Sequence, residues 1–190
     1  ALEHGAALVA ASADRHFRAQ LRDLMRRAGF ALETTADVTG VELAGAAKHA
    51  AVLAAGAASA AGPNAAGAAA GRVFAEVDAY ARRRGGRPES FAGLAGAGDL
   101  VAAVVADSSA ERRAGELLGR GVPADRIEPL LGRTAEGLDV LPLLAQALRR
   151  DGVAAPTVTG LAAVVEGSAA AAAWARSVTD PSARRSRRAA

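Results

Sequence analysis

In VELAGAAKHAAVLAAG, residues 41–56, nine of the sixteen residues are Ala or Gly. Alanine is the strongest helix former, and the branched and aromatic residues that strands favour are few here. The run therefore predicts a helix, and the same character extends it from Val38 to Ala61. In its middle stands Lys48, the only lysine of the chain; the other 22 of its 23 Lys and Arg are arginine.

Outward from that helix, the composition agrees. The chain has 190 residues, 51% of them hydrophobic with alanine prominent, and only 3% aromatic. A core of small and aliphatic side chains suits close helix–helix packing. There is no cysteine, which removes disulfides, thiolate metal sites and cysteine nucleophiles. His4, His16 and His49 stand at no metal-binding spacing, so no metal is expected. The net charge of +3 gathers in ARRRGGR (81–87) and SARRSRRAA (182–190). Without interleaved aromatics, these read as a solvated surface and a frayed tail; no nucleic-acid partner is expected. No secretory signal or membrane span is visible, so a soluble, cytoplasmic protein is expected. The chain opens on Ala1 and an apolar run, which reads as a fragment of a longer product.

AALVAAS (6–12) reads as a short strand. A helix is expected over Ala13 to Arg27, with Ser12 as its cap and Phe17, Leu21 and Leu24 at helical spacing. FALETT (30–35) reads as a second strand. Two strands do not make a stable sheet alone, so an edge wants a partner. GPN (62–64) ends the long helix, and Ala65 to Arg84 forms the next. After a Gly-rich turn and a short helix over 89–106, helices are expected at 108–118, 123–131, 136–150 and 157–175. The tail from Ser177 reads as disordered.

GLAGAGD (93–99) is no dinucleotide fingerprint, because no strand precedes it; Asp99 reads most simply as a helix cap. A phosphate loop of the Gly-Lys type is excluded, since Ala47 precedes Lys48. Gly-x-Ser-x-Gly is absent. Lys48, among Ala46, Ala47, Ala50 and Ala51, can snorkel to water. Yet the chain meets its other needs for cations with Arg, which does not release its proton near neutral pH, whereas Lys can. That makes Lys48 a candidate acid/base.

Five ordered blocks then carry a resemblance: TGVELAGAAKHA (39–50), AGRVFAEV (70–77), RPESFAGLAGAGDLV (87–101), GELLGRG (115–121) and AEG (135–137). Together they resemble NAD(P)-dependent glycerol-3-phosphate dehydrogenase, from about Ala6 to Gly167. The resemblance implies a mainly α chain: a helical substrate-binding and dimerisation domain over 37–176, preceded at 1–36 by a strand–helix–strand remnant of a Rossmann-type α/β domain, with a basic tail at 177–190. It implies reduction of dihydroxyacetone phosphate to sn-glycerol 3-phosphate, a phospholipid precursor, with NAD or NADP as cofactor and a possible homodimer. Lys48 takes the position of the proton-transfer lysine. Asp99 and Ser109 match substrate contacts, and Thr134 and Glu136 match cofactor contacts. The family's Gly-rich cofactor loop has no counterpart here, so the 190 residues alone are expected not to turn over.

The chain also departs from the family. Ser109-Ala110-Glu111 replaces Ser-Arg-Asn, in which the arginine clamps phosphate. Ala103 replaces a threonine, His49 an asparagine and Asp139 an arginine. Arg112 and Arg113 point about 100° and 200° away from position 111 on a helix. Glu111 is expected to repel a phosphate, and a different small substrate or a non-catalytic role is the alternative reading.

Overall fold

The computed structural model describes residues 6–106 and 109–180. The first unit is a βαβ: β1 Ala7–Ala11, α1 Arg15–Arg27 and β2 Ala31–Thr35. The strands pair in parallel with Ala7 opposite Ala31 and Ala11 opposite Thr35. Parallel neighbours need a crossover, and α1 supplies it. Asp14, not Ser12, caps α1: its carboxylate accepts from the amides of His16 and Phe17. Asp14 lies next to the first turn, where a carboxylate best meets the orphan amides. No residue of α1 is buried. Phe17 and Leu24 are each more than half exposed, so the apolar stripe of α1 is left uncovered by the described residues.

α2 spans Val38–Ala58 and tightens into a 3-10 turn at Ser59–Ala61. It is the axis of the molecule. α3 (Pro63–Arg83), α6 (Ala110–Gly119) and α8 (Glu136–Arg150) pack around it. Its small residues are the reason they can come so close. A Cβ on Gly56 would lie 2.2 Å from the Arg112 carbonyl oxygen, and one on Gly115 would lie 2.1 Å from that of Leu53. Backbone therefore meets backbone where α2 crosses α6.

Between α3 and α6 the chain forms α4 (Pro88–Ala92), a π-turn at Leu94–Gly98, and α5 (Asp99–Val105). α7 (Ala124–Leu131) leads to α8. The single helix expected over 157–175 is two, α9 (Pro156–Val165) and α10 (Ala171–Thr179). Gly167, at φ 74, makes the break. α10 then folds back, and the Trp174 indole N–H donates to the Thr157 carbonyl at 3.1 Å. Burying the one tryptophan with its N–H satisfied favours the bent arrangement over a continuous helix. α10 runs past Ser177 to Thr179, while the arginine-rich residues 181–190 lie outside the described residues. Among the described residues, no single helix is long and apolar enough to cross a membrane.

One buried carboxylate ties the βαβ exit to the helical body. Asp37 is 6% exposed and accepts from the Gly40 amide at 2.9 Å, the Arg87 amide at 2.8 Å and the Ser90 hydroxyl at 2.6 Å. It caps α2 and holds the start of α4 against it, which sets where the π-turn and α5 emerge.

Candidate functional site

Lys48 lies in the middle of α2, and Asp99 is the first residue of α5. Their side chains meet: Lys48 Nζ is 3.0 Å from Asp99 Oδ2. The lysine side chain is 19% exposed and the aspartate 49%, so the pair is partly open to solvent. Asp99 is not the cap read from the sequence. Its backbone is already helical, and its carboxylate faces α2 instead of its own amides. The π-turn before it is the cause, since one extra residue per turn rotates the following side chain. The turn in turn needs its glycines: a Cβ on Gly96 would lie 2.3 Å from the Phe91 carbonyl oxygen. These glycines serve packing of the turn onto α4. Beside the pair, a cavity of about 320 Å³ opens between β1, α2 and the π-turn, lined by Leu8, Val41, Gly45, Leu94 and Asp99 among others.

His49 follows Lys48 and joins three helices. Its Nδ1 is 2.9 Å from Glu111 Oε1 on α6, and its Nε2 is 3.4 Å from Glu136 Oε2 at the start of α8. Glu111 is thus held by an imidazole and does not stand as a free repelling carboxylate. The Glu136 side chain is 66% exposed, and that of Glu111 is 19%. The α8 approach depends on Gly137, whose missing Cβ would lie 3.0 Å from the His49 carbonyl oxygen.

Ser109 is the N-cap of α6, its hydroxyl accepting from the Arg112 amide at 3.2 Å. Ala110, where the family keeps its arginine, is buried in the core. Arg112 leans along its own helix, with Nε 3.9 Å from Glu116 Oε1. Thr134 is exposed just before α8, and the Glu128 carboxylate fastens the neighbouring Ala135 amide at 2.8 Å. Lys48 pairs with Asp99, and the next residue, His49, with Glu111 and Glu136; Ser109 stands at the start of α6. The His49 bridge was missed by sequence reasoning. Positions 49 and 111 were each legible as departures from an asparagine, but nothing local along the chain paired them. Among the described residues, no group of three or more His, Asp or Glu is arranged to hold a metal ion.

Residues 37–176 match the family model described as the NAD-dependent glycerol-3-phosphate dehydrogenase C-terminus. The chain belongs to that family. A glycerol-3-phosphate dehydrogenase [NAD(P)+] of Mycobacterium avium is 33% identical over 164 residues, which is 85% of this chain and 48% of the relative. The corresponding enzyme of Methylobacterium radiotolerans is 37% identical over 165 residues, 86% of this chain and 49% of the relative. This member of the dehydrogenase family therefore spans about half the length of the curated relatives it matches. The crystal structure of glycerol-3-phosphate dehydrogenase from Coxiella burnetii superposes with a TM-score of 0.83 at 26% identity, over 93% of this chain and 55% of the other. Those structural and sequence matches establish the helical C-terminal fold with its two-stranded parallel remnant.

Proposed function

We propose that this chain is the substrate-binding part of an NAD(P)-dependent dehydrogenase that interconverts a small ketone and its secondary alcohol. Dihydroxyacetone phosphate and sn-glycerol 3-phosphate are the pair on which its relatives are named. The observation that carries the reading is the Lys48–Asp99 contact of 3.0 Å. It sets the chain's only lysine against a carboxylate that lines a cleft.

Lys48 is the proton-transfer group. As negative charge grows on the carbonyl oxygen, its ammonium donates a hydrogen bond and then the proton; in the reverse direction the amine receives it. Asp99 holds Nζ in place, and its exposed edge accepts from a substrate hydroxyl. Ser109, at the start of α6, contacts substrate. Glu136 and Thr134 offer an exposed carboxylate and an exposed hydroxyl near the start of α8, groups that suit the amide and hydroxyl groups of NAD or NADP. The cofactor, when bound, supplies or accepts the hydride. On this reading residues 1–36 end a nucleotide-binding domain and residues 37–176 form the helical domain. Through that domain two copies pair, in the cytoplasm.

The test is NAD(P)H-dependent ketone reduction by the intact gene product, with dihydroxyacetone phosphate and dihydroxyacetone as substrates. Lys48→Met should lower kcat about 10²- to 10⁴-fold. Lys48→Arg, which keeps the charge but holds its proton, should not restore it. Wild-type turnover in Lys48→Met would end this reading.

A further inference from the structure

We propose that His49 is a positioning residue for Glu136: its ring holds that carboxylate while it carries two protons and lets it go when it carries one. The effect of that release on the cofactor rests on the reading of Glu136 given above. The latch itself rests only on the geometry around the ring.

The ring stands between two carboxylates. Nδ1 is 2.9 Å from Glu111 Oε1, a hydrogen bond, and Nε2 is 3.4 Å from Glu136 Oε2, a looser contact. Ionised carboxylates can only accept, so each needs an N–H from the ring. A neutral imidazole has one. The shorter contact takes it, because Glu111 is 19% exposed and a charge-assisted bond is stronger away from water. Nδ1–H then donates to Glu111, and the Nε2 lone pair is left facing Glu136. A second proton turns that repulsion into an ion pair.

Glu136 is the partner that can leave. Its side chain is 66% exposed, whereas its helix is fixed. A Cβ on Gly137 would lie 3.0 Å from the His49 carbonyl oxygen, so α8 is packed closely onto α2. Release is therefore the rotation of one side chain and not a movement of α8. Glu111 rides on α6, which meets α2 backbone to backbone at Gly56 and Gly115. Other charges stand near the ring. On α2 itself Lys48 is paired with Asp99 of α5, on α6 Arg112 reaches toward Glu116, and on α8 Asp139 shares the first turn with Glu136.

The direction of the effect follows from the charges. Histidine is the side chain that ordinarily changes charge between about pH 5 and 8. On the acid side of that change, one Glu136 oxygen lies against the imidazolium and its charge is countered. On the alkaline side the carboxylate swings clear, and both oxygens are open to the amide or hydroxyl groups of a nicotinamide nucleotide. An asparagine at position 49 stays neutral throughout, so the latch comes with this chain's departure from the family's residue.

The experiment is an NMR titration of the wild-type chain over about pH 5.5 to 8, reading the His49 ring protons and the Glu136 side-chain carboxylate carbon. The two signals should move together with one midpoint. The Glu136 step should vanish in His49→Asn. If that variant does not fold, the wild-type titration still decides. In the intact gene product, the KM for NAD(P)H should fall about two- to fivefold as pH rises through the same step, with kcat changing by less. His49→Asn should flatten that fall. Three results overturn the latch: a ring that does not titrate in this range, a Glu136 signal that stays flat while the ring titrates, or a Glu136 step that survives in His49→Asn. A Glu136 step with no change in KM supports the latch and refutes only the cofactor role given to Glu136.

Discussion

Asp37 shows how much one side chain decides here. Burial pushes its carboxyl up, but the Ser90 hydroxyl and the Arg87 and Gly40 amides hold it below its ordinary value of 3.8. A depressed folded value means that the carboxylate stabilises the fold above the unfolded value and that this contribution is lost as pH falls through the folded one. Asp37→Asn keeps the shape and removes the charge. It should cost about 2 kcal/mol at pH 7 in chemical denaturation, with the deficit against wild type shrinking below about pH 4. A deficit independent of pH would mean that the charge is not what the three donors recognise. Its full role escaped notice in the sequence because two of its three donors, at positions 87 and 90, lie far along the chain. Lys48 and Asp99, in contrast, were legible as a pair from the motif blocks, although Asp99 alone read as a cap. His49 and Glu111 were each visible as departures, but their contact across 62 residues was not.

Among the elements, α2 is the clearest case of sequence reaching structure directly. Its alanine and glycine content predicts both the helix and its burial, because only small residues let three neighbours approach on different sides. The crossing with α6 is where this matters most. Gly115→Ala puts a methyl 2.1 Å from the Leu53 carbonyl, and neither backbone can yield locally. The substitution should lower stability by about 2–3 kcal/mol despite the better helix propensity of alanine. Thermal or urea unfolding reads it, and a neutral or stabilising result would show that the helices part easily. Because Glu111 rides on α6, the same change should loosen its contact with His49, visible as a shift of the imidazole resonances in NMR. The start of α9 works by a longer reach: Glu76 on α3 accepts from the Thr157 and Val158 amides and the Thr157 hydroxyl. No local cap in the α9 sequence announces this.

The whole molecule divides into a tightly packed helical body and a thin βαβ unit. The body buries an aliphatic core around α2; the unit has two strands and a helix with no buried residue. Local opening follows buried contacts, so amide exchange in β1, α1 and β2 should run at least about 100-fold faster than in α2 and α8. Uniform protection across both parts would mean that the unit is held by more than these contacts. The amino-acid sequence by itself determined the mainly helical class, the strand–helix–strand start, most helix positions and the dehydrogenase family, since propensity, periodicity and ordered motifs are local along the chain. Only the tertiary structure decided that Asp99 turns to Lys48, that His49 bridges α6 and α8, and that residues 157–175 bend so that Trp174 is buried. Those outcomes depend on groups far apart in sequence meeting at fixed distances, and no local rule encodes where backbone packing will bring them together.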